Sequence, residues 1–337
     1  MRNLRRLAVV ILTACSLWGC AKDRDKNIGD SSDAVAAGAL PAADSAAVSD
    51  AKAQPATSSP RAAKAVVNGT RTMQYVKEII AYGPRYLGSP GHTKVEGYLR
   101  SRLKGDELQE DSFTVDSPEG KFPGRNFIAK FPGKKDGIII LASHYDTNYP
   151  LRKTSFIGAN DGAATSALLL ELAQHLRGGK LEGYSVWLVW TDAEEAVRQW
   201  SDADSLYGSR HLAEVWDKDG TLKRVKAFLL ADMIGDADLD IQRDSNSTPW
   251  VEDLVLEAAT RLGYQSHFFA FTLAEQDDHV PFAKRGVPVA DIIDTDYGYN
   301  DSFHHTTQDT IDKLSTHSLE ISGDVIWETM QLINERH

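Results

Sequence analysis

Apolar residues in this chain follow two kinds of pattern. Short, nearly continuous apolar runs are typical of strands buried on both faces of a sheet, whereas apolar residues spaced three and four apart predict helices. The runs predict strands at residues 113–115, 126–131, 137–143, 184–191, 227–232, 267–271 and 287–293. The helical spacing predicts helices at residues 70–82, 92–103, 161–176, 205–216, 250–262 and 317–333.

The order of these elements predicts the fold class. Strands and helices alternate along the chain, which favours an α/β fold with a mixed, mostly parallel central sheet and helices on both faces. The first two helices are separated by Gly- and Pro-rich breaks and are expected to form a hairpin packed on the sheet. The length from Asn68 onwards is that of one domain, so residues 68–337 are expected to fold as a single unit.

The chain before Asn68 has a different composition. Residues 1–20 begin with a basic stretch and continue with an apolar segment too short for a comfortable membrane span, which predicts an export signal. The signal ends in a motif similar to a bacterial lipobox, so Cys20 is expected to carry a lipid anchor. Residues 21–67 are rich in Ala, Ser, Asp and Pro and predict a disordered tether. The expected location is the bacterial cell envelope, at the periplasmic face or the cell surface.

Charge and cysteine content narrow the range of functions. The net charge of −11 and the absence of a Lys/Arg run argue against a nucleic-acid partner, because phosphate binding requires a concentrated basic face. The two cysteines are Cys15, inside the signal, and Cys20, so the exported chain is expected to form no disulfide. An ordinary signal peptide, in which Cys20 has no special role, is the alternative to the lipoprotein interpretation.

Side chains that bind metals follow four of the predicted strands. An isolated pair of adjacent glutamates is more often a helix cap or a solvent-exposed pair. Because the carboxyl ends of parallel strands meet at one edge of a sheet, where α/β folds bind ligands, the four strand ends together predict a metal site. The residues concerned are His144 and Asp146, then Glu194 and Glu195, then Asp232, and finally Asp291 leading towards His304 and His305.

The chemistry of zinc suggests a role for each of these residues. Zinc takes imidazole nitrogens and carboxylate oxygens in a tetrahedral array and keeps one position open when it is catalytic. Asp161 either caps helix 161–176 or turns outward, and as a ligand it would join Glu195 and His305. Glu194, next to a ligand but pointing elsewhere, is then free to act as general base or acid.

Three other side chains have simpler interpretations. Trp200 lies in a loop among Gln, Ser and Asp, where an indole has little reason to be unless it meets a ligand. His304, next to an expected ligand, is interpreted as a residue of the pocket rim. His279 follows Asp278 in a turn before a helix and is interpreted as a packing residue.

Short motifs along the chain resemble one superfamily. They are His144-x-Asp146, the stretch Gly-Ala-Asn-Asp that ends at Asp161, the pair Glu194-Glu195, the stretch Asp-Met-Ile-Gly from Asp232, and His305-Thr-Thr. This series resembles the zinc aminopeptidase superfamily, which also contains the animal-type glutaminyl cyclases, and it covers nearly the whole chain from Asn68. Residues 200–212, 276–282 and 284–289 are more similar to the cyclases than to the peptidases.

The resemblance implies a reaction, a cofactor and a set of site residues. The reaction is the conversion of an N-terminal glutamine of a peptide or protein to pyroglutamate with release of ammonia. The cofactor is one Zn²⁺, which polarises the γ-amide. The implied residues are Asp161, Glu195 and His305 for the metal, Glu194 for the proton shuttle, Asp232 and Asp277 for an acid network, and Trp200 and His304 for substrate binding.

The chain departs from the animal cyclases around the pocket rim. It has Asp291 in place of a histidine and His304 in place of a tryptophan, and it lacks their cysteine pair. These departures affect the expected rim more than the expected metal ligands.

Two other functions stay open. In the two-zinc aminopeptidases of the same superfamily, residues matching His144 and Asp232 complete a second metal site, with the residue matching Asp161 as the bridge. A non-catalytic peptide-binding lipoprotein is the third candidate, but the retained Glu194 argues against it. The number of bound metals separates the three hypotheses, since they predict one, two and none.

Overall fold

The computed structural model describes residues 63–179 and 181–337. Within these ranges the α-helices are α1 (Gly69–Ile80), α2 (Pro90–Arg102), α3 (Thr165–Leu176), α4 (Tyr207–Lys218), α5 (Pro249–Leu262), α6 (Val280–Ala283) and α7 (Thr316–Arg336). The strands are β1 (Glu107–Ser117), β2 (Gly120–Phe131), β3 (Gly133–His144), β4 (Leu181–Thr191), β5 (Val225–Asp232), β6 (Ile241–Asp244), β7 (Phe268–Leu273) and β8 (Val289–Ile293). Every predicted helix and strand corresponds to one of these elements.

The central sheet has six strands in the order β1-β2-β4-β3-β5-β8. The four strands β4, β3, β5 and β8 are parallel to one another. The hairpin of β1 and β2 joins the sheet through β2, which runs antiparallel to β4. The predicted α/β fold with a mixed, mostly parallel sheet is therefore confirmed.

Alternate residues of the central strands pack on opposite faces of the sheet. On β3, Ile139 and Leu141 belong to a large core that they share with α1, α2, α3, α5 and α7. Ile138 and Ile140 belong to a smaller core that they share with α4 and α6. Helices therefore cover both faces of the sheet, and this explains why the apolar runs of the central strands are uninterrupted.

Several element boundaries differ from the prediction. The strand predicted at 113–115 is the middle of a longer β1, whose mostly polar, partly exposed residues hide it from an apolar pattern. The strand predicted at 267–271 is β7, which lies outside the central sheet and pairs with β6. β6 and α6 have only four residues each, too few to establish a period.

The N-terminal predictions fall mostly on residues that the structure does not describe. The signal at 1–20, the anchor at Cys20 and the tether up to residue 62 all lie outside the described ranges. Contacts with the domain begin at Val66 and Val67, two residues before the predicted boundary, where both backbone N–H groups donate to Asp324 Oδ1 at 2.6 and 2.8 Å. None of the helices in the described ranges has the length and apolar character needed to cross a membrane.

Candidate active site

Site residues lie at or just after the carboxyl ends of three of the parallel strands, as the sequence predicts. His144 is the last residue of β3, and Asp232 is the last residue of β5. Glu194 and Glu195 lie in the turn that follows β4. Asp291 lies within β8, as the predicted strand at residues 287–293 implies, so its carboxylate is not at the end of the strand.

A cavity of about 500 Å³ opens at this edge of the sheet. It is lined by Asp161, Glu194, Glu195, Trp200, Asp232, Met233, Ala274, Glu275, Gln276, Asp277, Ile293, Thr295, Asp301, His304 and His305. The long loop after β8 brings the two histidines into the cavity wall. His144 lies behind the wall, with 2% of its side chain exposed. The cavity thus brings together the residues that the resemblance implies for the metal, the proton shuttle, the acid network and the substrate, whereas His144, Asp146 and Asp291 do not line it.

Asp161 does not lie in a helix, which corrects the predicted helix 161–176. The helix α3 begins at Thr165, and the residues before it form a kinked turn in which Asp161 has an extended conformation (φ −74°, ψ 99°). Gly162 has a φ of 80°, and a Cβ there would lie 2.9 Å from the ring of His144. The glycine therefore lets the turn approach His144, and the kink directs Asp161 into the cavity instead of along a helix axis.

This turn is held from both sides by buried charged residues that the sequence patterns did not indicate. The carboxylate of Asp309 accepts the backbone N–H groups of Asn160 at 2.8 Å and Asp161 at 3.2 Å. The guanidinium of Arg85 donates to the carbonyl oxygens of Gly158 at 2.8 Å and Asp161 at 3.2 Å. The position of the Asp161 carboxylate thus depends on two residues far away in the sequence.

Arg85 is fully buried, and its guanidinium also donates to the carbonyls of Tyr145 and Ile157. Burial lowers the pKa of Arg85 to about 10, against the opposing effect of nearby carboxylates, so the side chain stays charged at neutral pH. A charged residue within a Gly- and Pro-rich break is normally exposed. The sequence pattern therefore gave no indication that Arg85 is buried or that it holds the Asp161 turn.

We expect Arg85→Met to destabilise the domain by about 3–5 kcal/mol, because it leaves several buried carbonyls without a donor. Urea unfolding of the metal-free protein measures this change. Arg198→Met is the control, since Arg198 pairs with Glu119 at the surface, with 60% of its side chain exposed, and should change stability by about 1 kcal/mol or less. Similar small losses in both variants would contradict the structural role of Arg85.

The turn carrying Glu194 and Glu195 is fixed by Asp146. Its two carboxylate oxygens accept the backbone N–H groups of Glu194 at 3.1 Å and Glu195 at 3.3 Å. Ala193, just before the pair, has a φ of 57°, which is rare for a residue with a side chain. The two neighbouring glutamates are thereby held in a strained turn that directs both carboxyls towards the cavity.

One face of this arrangement brings together side chains of the types that bind zinc. Nε2 of His305 lies 3.1 Å from Glu195 Oε1 and 3.5 Å from Asp161 Oδ2. Ligand atoms at zinc distances in a tetrahedron lie about 3.3–3.6 Å apart, and the two distances from His305 are close to this spacing. The group whose ligand atoms all lie within 4.8 Å of one another on this face is Asp161, His304 and His305, without Glu195. Asn148, which the sequence patterns also missed, donates from Nδ2 to Glu195 Oε2 at 2.8 Å and so turns Oε1 towards His305.

A second group of ligand atoms lies on the other side of Asp161. Nε2 of His144 is 3.1 Å from Asp161 Oδ1 and 3.4 Å from Asp232 Oδ1, and all three side chains are buried. Both nitrogens of His144 and the oxygen Asp232 Oδ1 are buried without a hydrogen-bond partner in the described chain. The two oxygens of Asp161 thus face two different donor sets, as a bridging carboxylate would.

His304 lies beside His305, and its ring centroid is 4.0 Å from that of its neighbour. Its Nδ1 is 3.2 Å from Asp301 Oδ2 at the rim of the cavity. A ring nitrogen of His304 also lies within 4.8 Å of ligand atoms of Asp161 and His305. His304 is therefore placed as a rim residue, but it is close enough to be an alternative metal ligand.

The charge environment favours proton-bearing carboxyls in the cavity. Burial raises the pKa of Glu194, and the charge of Asp277 raises it further. Burial likewise raises the pKa of Asp277, helped by the charges of Asp232 and Asp278. Both carboxyls are drawn towards the protonated form, which brings their titration closer to neutral pH. Such a shift is what a group needs in order to accept and return a proton.

For the pKa of His305, the charges of the neighbouring carboxylates outweigh the effect of burial. Burial alone would lower its pKa, but the charge of Glu195 and its hydrogen bond, together with the charge of Asp161, raise it to about 10. A divalent cation between these groups would reverse the trend, because it favours neutral imidazole and ionised carboxylates. The excess of carboxylates around one imidazole therefore matches a site built for a cation.

Trp200 lines the cavity together with Glu194, Glu195 and Gln276. The residue is 41% exposed, which is high for a tryptophan in the described chain. An indole partly exposed at the mouth of a polar cavity is suited to packing against a bound molecule.

Comparisons with known proteins agree with the fold and with the family that the sequence motifs resemble. The sequence profile described as "Peptidase family M28" matches residues 126–330. A glutaminyl-peptide cyclotransferase-like protein from Bos taurus is 33% identical, and the match covers 67% of this chain and 66% of that relative. The glutaminyl-peptide cyclotransferase of Drosophila melanogaster is 30% identical, and the match covers 71% of this chain and 75% of that relative. The crystal structure of a glutaminyl cyclase from an Acidobacteriales bacterium matches with 50% identity and a TM-score of 0.79, over 85% of this chain and 100% of that one.

The fold and the donor set define an α/β protein of the zinc aminopeptidase class. The chain belongs to peptidase family M28 and, within it, to the glutaminyl-peptide cyclotransferase group. The resemblance seen in the sequence motifs is thereby confirmed.

Proposed function

We propose that this protein is a zinc-dependent glutaminyl-peptide cyclotransferase, which converts the N-terminal glutamine of peptides or proteins to pyroglutamate and releases ammonia. The observation that most strongly supports this proposal is that Glu194, a carboxyl with a raised pKa, lines the same cavity as the expected metal ligands Asp161, Glu195 and His305. The names of the relatives support the same reaction.

The reaction requires one group that both accepts and returns a proton. Zinc held by Asp161, Glu195 and His305 would polarise the γ-carbonyl of the substrate glutamine. The α-amine nitrogen attacks the carbonyl carbon of the side-chain amide (Cδ of glutamine) and forms the ring C–N bond, while the bond between Cδ and the amide nitrogen breaks and ammonia leaves. Glu194 accepts the proton that the α-amine loses and passes it to the departing nitrogen. The proton that the α-amine loses is the one that the leaving ammonia gains, and no water is consumed.

Asp232 and Asp277 add two further carboxyls to the cavity that contains this proton shuttle. Both line the cavity, and the charge of Asp277 is the largest charge contribution to the raised pKa of Glu194. Asp277 thus helps to keep Glu194 able to hold a proton. We propose that the two aspartates also orient the α-amine of the substrate, because a primary amine offers several donors to carboxylate oxygens.

A two-zinc aminopeptidase is the second candidate, favoured by one specific observation. Asp161 directs one oxygen to His305 and the other to His144, which is itself near Asp232. In a two-metal site these residues would hold a second ion, and Glu194 would act on a water in place of an amine. The products distinguish the two reactions, since a peptidase shortens the peptide by one residue.

The test uses three peptides that differ only in the first residue, which is Gln, Leu or Asn. Mass spectrometry after incubation with the purified protein is expected to show loss of ammonia from the Gln peptide alone. The Asn peptide is the matched control, because its shorter side chain would have to close a strained four-membered ring. Removal of the first residue from the Leu peptide, without loss of ammonia from the Gln peptide, would favour the aminopeptidase. No change in any peptide would contradict both functions.

A further inference from the structure

The segment of residues 275–279, between β7 and α6, forms one wall of the cavity. Glu275, Gln276 and Asp277 line the cavity, while His279, at the end of the segment, is fully buried behind it. The position of the Asp277 carboxyl therefore depends on what fixes the two ends of this short segment.

Asp244 holds both ends of the segment. One of its oxygens, Oδ1, accepts the backbone N–H of Glu275 at 3.0 Å, and the other, Oδ2, lies 3.0 Å from Nε2 of His279. Asp244 is the last residue of β6 and is fully buried, and its Oδ2 also accepts the hydroxyl of Ser247 at 2.9 Å. Its carboxylate thus ties the start and the end of the wall segment to one fixed strand.

His279 continues this chain of contacts to the central sheet. Its second ring nitrogen, Nδ1, lies 3.5 Å from Oδ2 of Asp291 in the middle of β8, and all three side chains are 0% exposed. The two ring nitrogens of His279 are at ion-pair distances from Asp244 Oδ2 and Asp291 Oδ2, but neither they nor the two oxygens of Asp291 have an aligned hydrogen bond within the described chain. His279 is buried, as its interpretation as a packing residue implies, but its ring nitrogens face two buried carboxylates, which that interpretation did not anticipate.

The same contacts explain how so many carboxylates can lie close together. Burial raises the pKa of Asp291, and the charges of Asp277, Asp232, Asp244 and others raise it further. Buried carboxylates need a cationic or proton-bearing partner. The imidazole of His279 is the nitrogen-bearing side chain placed between Asp244 and Asp291.

We propose that Asp244, His279 and Asp291 form a buried positioning relay that fixes the wall segment and holds the Asp277 carboxyl at the reaction centre. None of the three residues lines the cavity, so they act on the reaction through Asp277, which does. The catalytic consequence rests on the proposed cyclotransferase function, but the structural consequence does not.

The kinetic test compares His279→Gln with Asp277→Asn and with the double variant, using cyclisation of the Gln peptide. His279→Gln is expected to lower kcat by about 10- to 100-fold, the usual effect of losing a residue that orients a site group. In the Asp277→Asn background the same substitution should change kcat by less than about threefold, because residues that act through one another are not additive. Equal effects in both backgrounds would overturn the relay.

His175→Gln is the matched control for the substitution itself. Nε2 of His175 lies 3.1 Å from Glu171 Oε1 on α3, away from the cavity wall, so kcat should stay at the wild-type value. If the wild-type protein does not cyclise the Gln peptide, the proposed function fails. If it does and His279→Gln is as active as wild type, the relay fails and the function stands.

Amide hydrogen exchange tests the relay without any enzymatic activity, and Asp244→Asn provides a second variant should His279→Gln fold poorly. In both variants exchange in residues 275–279 is expected to rise by about 10-fold or more, with little change in β3 and β4. Unchanged exchange in that segment would overturn the proposal. Metal analysis gives a further check, because loss of one metal equivalent in His279→Gln would mean that the cluster binds a cation instead.

Discussion

Replacing Glu194 by Gln is expected to lower kcat by about 10²–10⁴-fold while the metal content stays near that of the wild type. The substitution keeps the size and hydrogen-bonding capacity of the side chain, but an amide cannot accept and return a proton. The carboxyl of Glu194 lies 4.0 Å from Nδ1 of His144 and outside the Asp161, Glu195 and His305 set, so the metal should not depend on it. Steady-state kinetics and metal analysis on the same preparation measure both quantities.

Glu195→Gln is the matched comparison, since it makes the same chemical change one residue along. Glu195 Oε1 lies 3.1 Å from His305 Nε2, so this variant is expected to lose metal first and activity as a consequence. The opposite outcome, with metal lost from Glu194→Gln and kept in Glu195→Gln, would exchange the two roles. Two mild and similar effects would indicate an acidic pair without a catalytic part.

The edge of the sheet at which the site lies could be predicted from the sequence, because buried parallel strands appear in it as nearly continuous apolar runs. The runs that end at His144 and Asp232 are almost entirely apolar, and the pairing of their strands brings His144 Nε2 within 3.4 Å of Asp232 Oδ1. The surroundings of Asp291 could not be predicted in the same way. Its strand was expected at residues 287–293 and is β8, but an apolar run does not show which partner a buried carboxylate meets, and Asp291 faces His279 instead of lining the cavity.

The residues that hold the site in place were much harder to predict. Arg85, Asp244 and Asp309 act by hydrogen bonds to backbone groups that are distant in the chain, and no spacing rule links a side chain to such a partner. Asn148 could have been suspected, since it follows the end of β3 by only a few residues in a polar stretch. The ligand types were visible in the sequence, but the framework that orients them was visible only in the structure.

The positive φ angles explain why helix and turn patterns fail near the cavity. Ala193, Met233 and His305 all have φ between 47° and 57°, and each lies at or next to a residue of the cavity wall. Residues with side chains rarely adopt this conformation, so propensity-based reasoning does not anticipate it. The surrounding contacts impose the conformation, and this is how neighbours such as Glu194 and Glu195 can take different directions.

Replacing His305 by Ala is expected to remove most of the bound metal and to lower kcat/KM by at least about 10²-fold. His305 supplies the nitrogen that lies within 3.5 Å of both Asp161 and Glu195, and a zinc site reduced from three protein ligands to two binds poorly. Metal content after dialysis, together with cyclisation of the Gln peptide, measures the effect. Added zinc should restore activity only in large excess, because the remaining carboxylates still favour a cation.

His304→Ala and His144→Ala turn this prediction into a test of the whole metal arrangement. His304 has its Nδ1 directed at Asp301, 3.2 Å away, so its loss should spare the metal and change KM more than kcat. If instead His304→Ala loses metal and His305→Ala keeps it, the ligand is His304 and the ligand set is shifted by one residue. His144→Ala separates one metal from two, because it should leave the metal content unchanged in a cyclotransferase with one zinc. In a two-zinc site the same change should remove one ion, since His144 and Asp232 would hold the second ion beside the bridging Asp161.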